Sequence, residues 1–268
     1  FDGPPLKRPL AIVGEGSVRL RLAADKPRAF VAVRLNNVHP DGTVERLSFG
    51  FLNLAHRRSH AKPTALKPDE FYDVDVKLKG VAQFVPAGHR LRIAVSTCYW
   101  PMIWPSPQAA TLTVDPAGSF VSLPVLESEK GFEPVEYAPV EYATPLKTTT
   151  RATGNESREA IHTIDDSTTR FVVTRDDGSV VIDDIGTEVS YTKKKSFTIG
   201  REDPLASVAE LECSEHYRRG AWDARLETET RLSCDETHFY LSGKVRAFDR
   251  GRKFAERSFE HTIKRDYI

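Results

Sequence analysis

The sequence lacks a net charge, lacks any apolar run long enough to cross a bilayer, and has little cysteine. Lysine plus arginine and aspartate plus glutamate both number 38 in 268 residues. No net field therefore steers the chain toward nucleic acid or an anionic membrane, and neither is expected as a partner. Hydrophobic residues make up 40%, but none of their runs approaches the ~20 residues of a membrane helix. Cys98, Cys213 and Cys234 are odd in number and lack metal-like spacing, which reads as reduced structural thiols in a cytoplasmic protein. No basic segment, apolar core and small-residue cleavage site opens the chain. Its first residues, Phe1-Asp2-Gly3-Pro4-Pro5, read as the start of the C-terminal part of a longer polypeptide.

Catalytic motifs are also missing. A serine nucleophile on an α/β scaffold needs small neighbours, written Gly-x-Ser-x-Gly, so that its hydroxyl projects from a strained strand-to-helix turn. The nearest approximation, Gly14-Glu15-Gly16-Ser17, leads into a strand pattern and reads as a turn. His56 and His60 are four apart, yet Pro63 follows and no helix pattern presents them on one face. His39, His89, His162, His216, His238 and His261 fall in turns or at ordinary strand positions. Asp176-Asp177-Gly178-Ser179 and Asp183-Asp184-Ile185-Gly186 are short turn sequences without the alternating oxygen ligands of a calcium loop. No catalytic residue, metal ligand or cofactor is expected in this chain.

What is present is strand pattern. Val18, Leu20 and Leu22 alternate with Arg19 and Arg21, and Tyr72, Val74, Val76 and Leu78 alternate with Asp73, Asp75, Lys77 and Lys79. That period of two marks sheets with one wet face. Phe30 to Leu35 is nearly continuous in apolar residues and is read as ending at Asn36-Asn37; His39-Pro40-Asp41-Gly42 then turns the chain into a strand from Val44 to Leu52. Between Glu127 and Thr150 the composition shifts to Glu, Pro, Tyr and Thr, which disfavours a long helix or central strand. Long alternating runs follow, paired from Asp166 to Asp176 and Ile185 to Ile199, then Ala206 to Tyr217, Ala221 to Leu232, His238 to Ala247 and Lys253 to Ile263. The fold class is therefore all-β. The expected domains are a jelly-roll β-sandwich over 1–126, a proline-rich linker over 127–150, and an antiparallel meander or open barrel over 151–268.

The segment from Phe84 to Pro105 is the most telling one. Its end places Tyr99, Trp100, Met102, Ile103 and Trp104 within six positions between prolines, a concentration of apolar surface that invites a cover. The motifs around it resemble those of the C-terminal sandwich in the X-Pro dipeptidyl-peptidase and cocaine esterase family of serine hydrolases. Val33 to Gly42 is similar to that family's strand and Val-His-Pro-Asp-Gly turn, and Gly50 to Arg57 to its Gly-hydrophobic-Leu strand. Leu66-Lys67-Pro68-Asp69-Glu70-Phe71-Tyr72 resembles its Leu-x-Pro-Gly-Glu-x-Tyr turn, and Val85 to Ile93 its Pro-x-Gly-His-Arg strand. The loop departs from the pattern, with Ser96-Thr97-Cys98-Tyr99-Trp100-Pro101 where the family has Ser-Ser-Ser-Asn-Phe-Pro.

The resemblance implies that Pro9 to Val125 form a galactose-binding-like jelly roll packed on an N-terminal α/β-hydrolase domain of the same polypeptide. That domain would hold the Ser-Asp-His triad, and the sandwich would brace it and wall its cleft. The chain is thus expected to be the non-catalytic portion of a hydrolase of esters or amides, with Tyr99, Trp100, Met102 and Trp104 at the domain interface or cleft. Self-association is left open. For Thr150 to Ile268 the resemblance implies only that some bacterial members carry such an extension. Two other readings compete: a carbohydrate-binding module that stacks sugars on Trp100 and Trp104, and a scaffold whose second sheet pairs with a partner protein.

Overall fold

The computed structural model describes residues 1–127, 136–164 and 167–268. It divides into one unit of Phe1–Glu136 with Tyr267–Ile268 and another of Tyr137–Asp266. Among the described residues the regular elements are strands and two three-residue 3-10 turns, Leu54–His56 and Pro204–Ala206. None of the helices among the described residues is long and apolar enough to cross a membrane. The protein is all-β.

In the first unit the strands are β1 (Leu10–Gly14), β2 (Ser17–Ala24), β3 (Phe30–Val38), β4 (Val44–Asn53), β5 (Tyr72–Lys77), β6 (Val81–Val85), β7 (Arg90–Ser96) and β8 (Leu112–Ser122). They form antiparallel sheets β5-β2-β8 and β4-β3-β7 and a β1-β6 ribbon. The period-two residues decide which faces meet. Val18, Leu20 and Leu22 of β2 and Val74 and Val76 of β5 share one buried cluster with Val31, Val33 and Leu35 of β3 and Ile93 of β7; Ile12 and Val85 join it from the ribbon. This is a sandwich core, in which alternate side chains of two sheets exclude water from one another. Arg19 and Arg21 point the other way. Arg19 holds Asp75 through two hydrogen bonds of 3.0 and 2.7 Å, and Arg21 lies 3.7 Å from Asp73 and 3.4 Å from Asp115.

Where β4 reaches the end of β5 the two sheets nearly touch. The Ser48 hydroxyl donates to the Lys79 carbonyl at 2.6 Å, and the Lys79 amide donates to the Phe49 carbonyl at 2.9 Å. A Cβ at Gly50 would sit 2.0 Å from the Lys77 carbonyl oxygen, so only glycine allows this corner. One boundary differs from the sequence reading: β3 does not stop at Asn36-Asn37 but continues through both to Val38. Asparagine favours turns because its side chain competes for backbone groups. Here both are buried and occupied: the Asn36 amide lies 3.4 Å from the carbonyls of Arg34 and Arg92, and Asn37 Oδ1 lies 2.9 Å from His89 Nδ1.

The second unit is built from β9 (Thr148–Ala152), β10 (Asn155–Thr163), β11 (Thr168–Ile182), β12 (Thr187–Gly200), β13 (Val208–Arg219), β14 (Trp222–Cys234), β15 (His238–Asp249) and β16 (Arg252–Lys264). β10 through β16 pair in chain order, an antiparallel meander, and β9 pairs with β11. Residues 136–147 before it carry no strand or helix and are exposed, while the last part of the proline-rich segment, Thr148 to Thr150, belongs to β9. Residues 128–135 of that segment, with Pro134, lie outside the described residues, as does Asp166.

Asp176-Asp177-Gly178-Ser179 is not the turn its composition predicts. It is an irregularity inside β11, where the register shifts between Asp176 and Ser179. The cause lies across the edge: β10 pairs with β11 up to Asp176 and β9 from Ser179 onward, so one edge strand breaks at Thr153-Gly154 beside the irregularity. Gly178 has φ of 69°, and a Cβ there would meet the Ala152 carbonyl oxygen at 2.1 Å. Asp183-Asp184-Ile185-Gly186 does form the hairpin turn between β11 and β12.

Replacing Gly178 by alanine is expected to destabilise by more than ~1 kcal/mol, from both backbone strain and the clash. Gly186→Ala, with φ of 59° but nothing within 4 Å of its Cβ, carries strain alone. Urea unfolding should place Gly178→Ala well below Gly186→Ala; equal midpoints would contradict the crowded bulge.

Candidate functional site

The predicted loop leaves β7 at Ser96 and lies against the outer face of the β4-β3-β7 sheet, opposite the core. Period-two alternation sends Ser48 and Gly50 inward and therefore Phe49 and Phe51 outward. The Tyr99 ring packs on both, with centroids 6.1 Å from Phe49 and 5.6 Å from Phe51. The Arg34 guanidinium sits 5.0 Å from the centre of the Tyr99 ring, and that of Arg46 lies 4.8 Å from Phe49 and 5.8 Å from Tyr99. Arg46 also donates to the Tyr99 hydroxyl. Such cation–ring contacts contribute ~0.5–1 kcal/mol each at exposed sites. Tyr99 is thus a peg between two arginines on an aromatic floor.

Polar contacts set the loop's path. Ser96 Oγ donates to the Cys98 carbonyl at 2.8 Å and accepts from Arg34 at 3.3 Å. The Tyr99 carbonyl accepts from the amides of Met102 and Ile103, at 2.8 and 3.2 Å, closing a tight turn that contains a cis Trp100-Pro101 bond. Trp100 and Trp104 then pack edge to face, with centroids 5.0 Å apart and planes at 79°. Met102 at the tip is 56% exposed. Of the four sequence-predicted residues, the two tryptophans meet each other, Tyr99 lies on the sheet and Met102 faces solvent. Arg34, Arg46, Phe49 and Phe51 escaped the sequence reading. Two phenylalanines alternating with serine and glycine were the available sign of a second aromatic face.

His39 and His89 pack with ring centroids 4.6 Å apart at the two turns beside Asn37, and His56 lies 5.4 Å from His60. His216 Nε2 lies 2.7 Å from Asp223 Oδ1, an acid–imidazole pair. Ser190 is opposite His216 in the sheet register, yet among the described residues no hydrogen bond joins its hydroxyl to that ring. Nor do three or more His, Cys, Asp or Glu side chains among them gather as a metal-binding group. The chemistry on offer at the loop is recognition, through guanidinium donors and ring faces.

A model of the X-Pro dipeptidyl-peptidase C-terminal non-catalytic domain matches residues 1–164. The chain belongs to this family. The cocaine esterase of Rhodococcus sp. (strain MB1 Bresler) is 26% identical over 96 residues, which cover 36% of this chain and 17% of that protein. Among solved structures, an α-amino acid ester hydrolase labelled with selenomethionine aligns at TM-score 0.45 and 24% identity, over 47% of this chain and 25% of its own. An aminopeptidase from a marine sediment Thaumarchaeota archaeon aligns at TM-score 0.45 and 21% identity over the same shares, 47% and 25%. This member of the X-Pro dipeptidyl-peptidase C-terminal family therefore spans a quarter or less of the length of these relatives.

Burial pushes the Cys98 thiol up from its ordinary range, outweighing the amides of Trp100 and Tyr99 that act in the opposite direction. A raised thiol pKa leaves less thiolate at any pH below it. At pH 8, iodoacetamide should therefore label Cys98 more slowly in the folded protein than in urea, with the two rates converging as pH rises. Labelling of Cys98 at the unfolded rate would contradict a loop packed as described.

Proposed function

We propose that this chain is the non-catalytic C-terminal portion of a serine hydrolase acting on esters or amides, X-Pro peptides included. In this reading the first unit is a galactose-binding-like jelly roll that braces an N-terminal α/β-hydrolase domain of the same polypeptide and walls its cleft, and the protein is cytoplasmic. Residues 127–150 link it to the second domain, over 151–268. Tyr99, Trp100, Met102 and Trp104 form the face turned to the hydrolase domain or its substrate.

The observation that carries this reading is the match to a non-catalytic domain family over 1–164, in a sequence without a Gly-x-Ser-x-Gly nucleophile turn. The loop supports it further. Tyr99 lies outside the core cluster, on the outer face of the β4-β3-β7 sheet. Cys98 and Cys213 are not joined in a disulfide, which fits a reducing compartment. The sugar-binding alternative is disfavoured by the edge-to-face tryptophans, because rings set at 79° present no common plane for stacking a glycan.

The test is hydrolysis of an activated ester by the 268-residue chain beside the full-length protein encoded by its gene. Turnover is expected from the full-length protein alone, at a serine outside these residues. Turnover by the chain itself, abolished by a substitution within it, would overturn the assignment.

A further inference from the structure

The arginines of the first unit are treated differently on its faces. On the outer face of β5-β2-β8, Arg19 and Arg21 are met by Asp75, Asp73 and Asp115. On the outer face of β4-β3-β7, Arg92 is neutralised by Asp2 through hydrogen bonds of 2.5 and 2.7 Å. Arg34 and Arg46, on that same face, have no carboxylate within 4.0 Å among the described residues. They rest on the rings of Tyr99 and Phe49, and Arg34 Nε is buried without a hydrogen-bond partner. A guanidinium's planar fork matches a carboxylate in bidentate fashion, and such pairs are about twice as strong as neutral hydrogen bonds. Each fork already donates to one hydroxyl, Arg34 to Ser96 and Arg46 to Tyr99, and the rings preorganise both for a carboxylate that the described residues of this unit do not supply.

We infer that the Arg34–Arg46 face, with Tyr99 between the two guanidiniums and Met102 as an apolar flank, docks on an acidic patch of the hydrolase domain through one or more Asp or Glu side chains. This rests on the proposed function and adds the partner's chemistry: carboxylates, met by arginines already held in place by aromatic rings. Charge complementarity selects this occupant. A neutral partner would bury two uncompensated cations, which is costly.

The test uses the full-length protein carrying Arg46→Lys and a zero-length carbodiimide, which joins a lysine amine only to a carboxylate in direct contact. Arg46 is exposed, so the substitution keeps the charge without disturbing the core. Mass spectrometry should find residue 46 joined to an Asp or Glu of the hydrolase domain. Arg19→Lys, opposite Asp75 on the other face, should yield only the internal link. Interdomain links through Lys62, Lys67 or Lys79 with none at residue 46 would overturn this inference and leave the bracing role standing. Links from residue 46 only to carboxylates of this same unit, in one molecule or between two, would overturn it as well. Absence of any link between the hydrolase domain and a lysine of this unit would overturn both.

Discussion

The mutual burial of two alternating apolar arrays, Val18, Leu20 and Leu22 on one sheet and Val31, Val33 and Leu35 on the other, is the constraint on which the rest of the first unit depends. A strand that commits its even positions to the core must turn its odd positions outward. Arg19 and Arg21 are thereby committed to one surface of the sandwich and Arg34 to the other. The same rule sends Phe49 and Phe51 out wherever Ser48 and Gly50 go in, and it is this outward pair that gives Tyr99 a floor. The core does no chemistry. It sets the positions of side chains that can recognise something else.

The second unit obeys the same alternation, its described strands forming a single sheet. The cross-strand row Phe171, Phe197, Ala209, Leu232 and Leu241 falls on one face, and the row Thr174, Lys194, Glu212, Glu229 and Lys244 on the other. The charged face is laced with ion pairs: Arg231 with Glu210, and Arg246 with both Glu227 and Glu229. The apolar face stays open to a considerable degree, with Leu226 42% and Phe259 49% exposed. Among the described residues Val172 is the one buried hydrophobic side chain of this unit. Its edge strand β16 carries Arg252, Lys253, Arg257 and Lys264, charges of the kind that guard a free sheet edge against further pairing.

Much of this was legible in the residues. The strands of the first unit appeared wherever charge alternated with aliphatic side chains, as in Arg19 to Leu22 and Tyr72 to Lys77, because period two is a local signal. The meander of β12 to β16 was legible to within about two residues for the same reason. Asn36-Asn37 and Asp176-Asp177-Gly178-Ser179 misled because turn propensity is also local, while what overrode it was not. Asn37 is occupied by His89, 52 positions away, and the β11 irregularity answers a break in the neighbouring edge strand. Half of the candidate site was visible as a run of aromatic residues. The other half comes from β3 and β4, and only the pairing of β3 with β7 brings Arg34 and Phe51 beneath a loop that begins some fifty residues later.

The central claim is that the outer face of β4-β3-β7 and the Tyr99–Trp104 loop are completed by another domain. Backbone hydrogen–deuterium exchange, compared between the 268-residue chain and the full-length protein, addresses it directly. The account predicts that amides of residues 97–106 and of the outer strand β4 exchange more slowly in the full-length protein, while those of β2 and β5 are unchanged. Equal exchange across the loop in both proteins would contradict it.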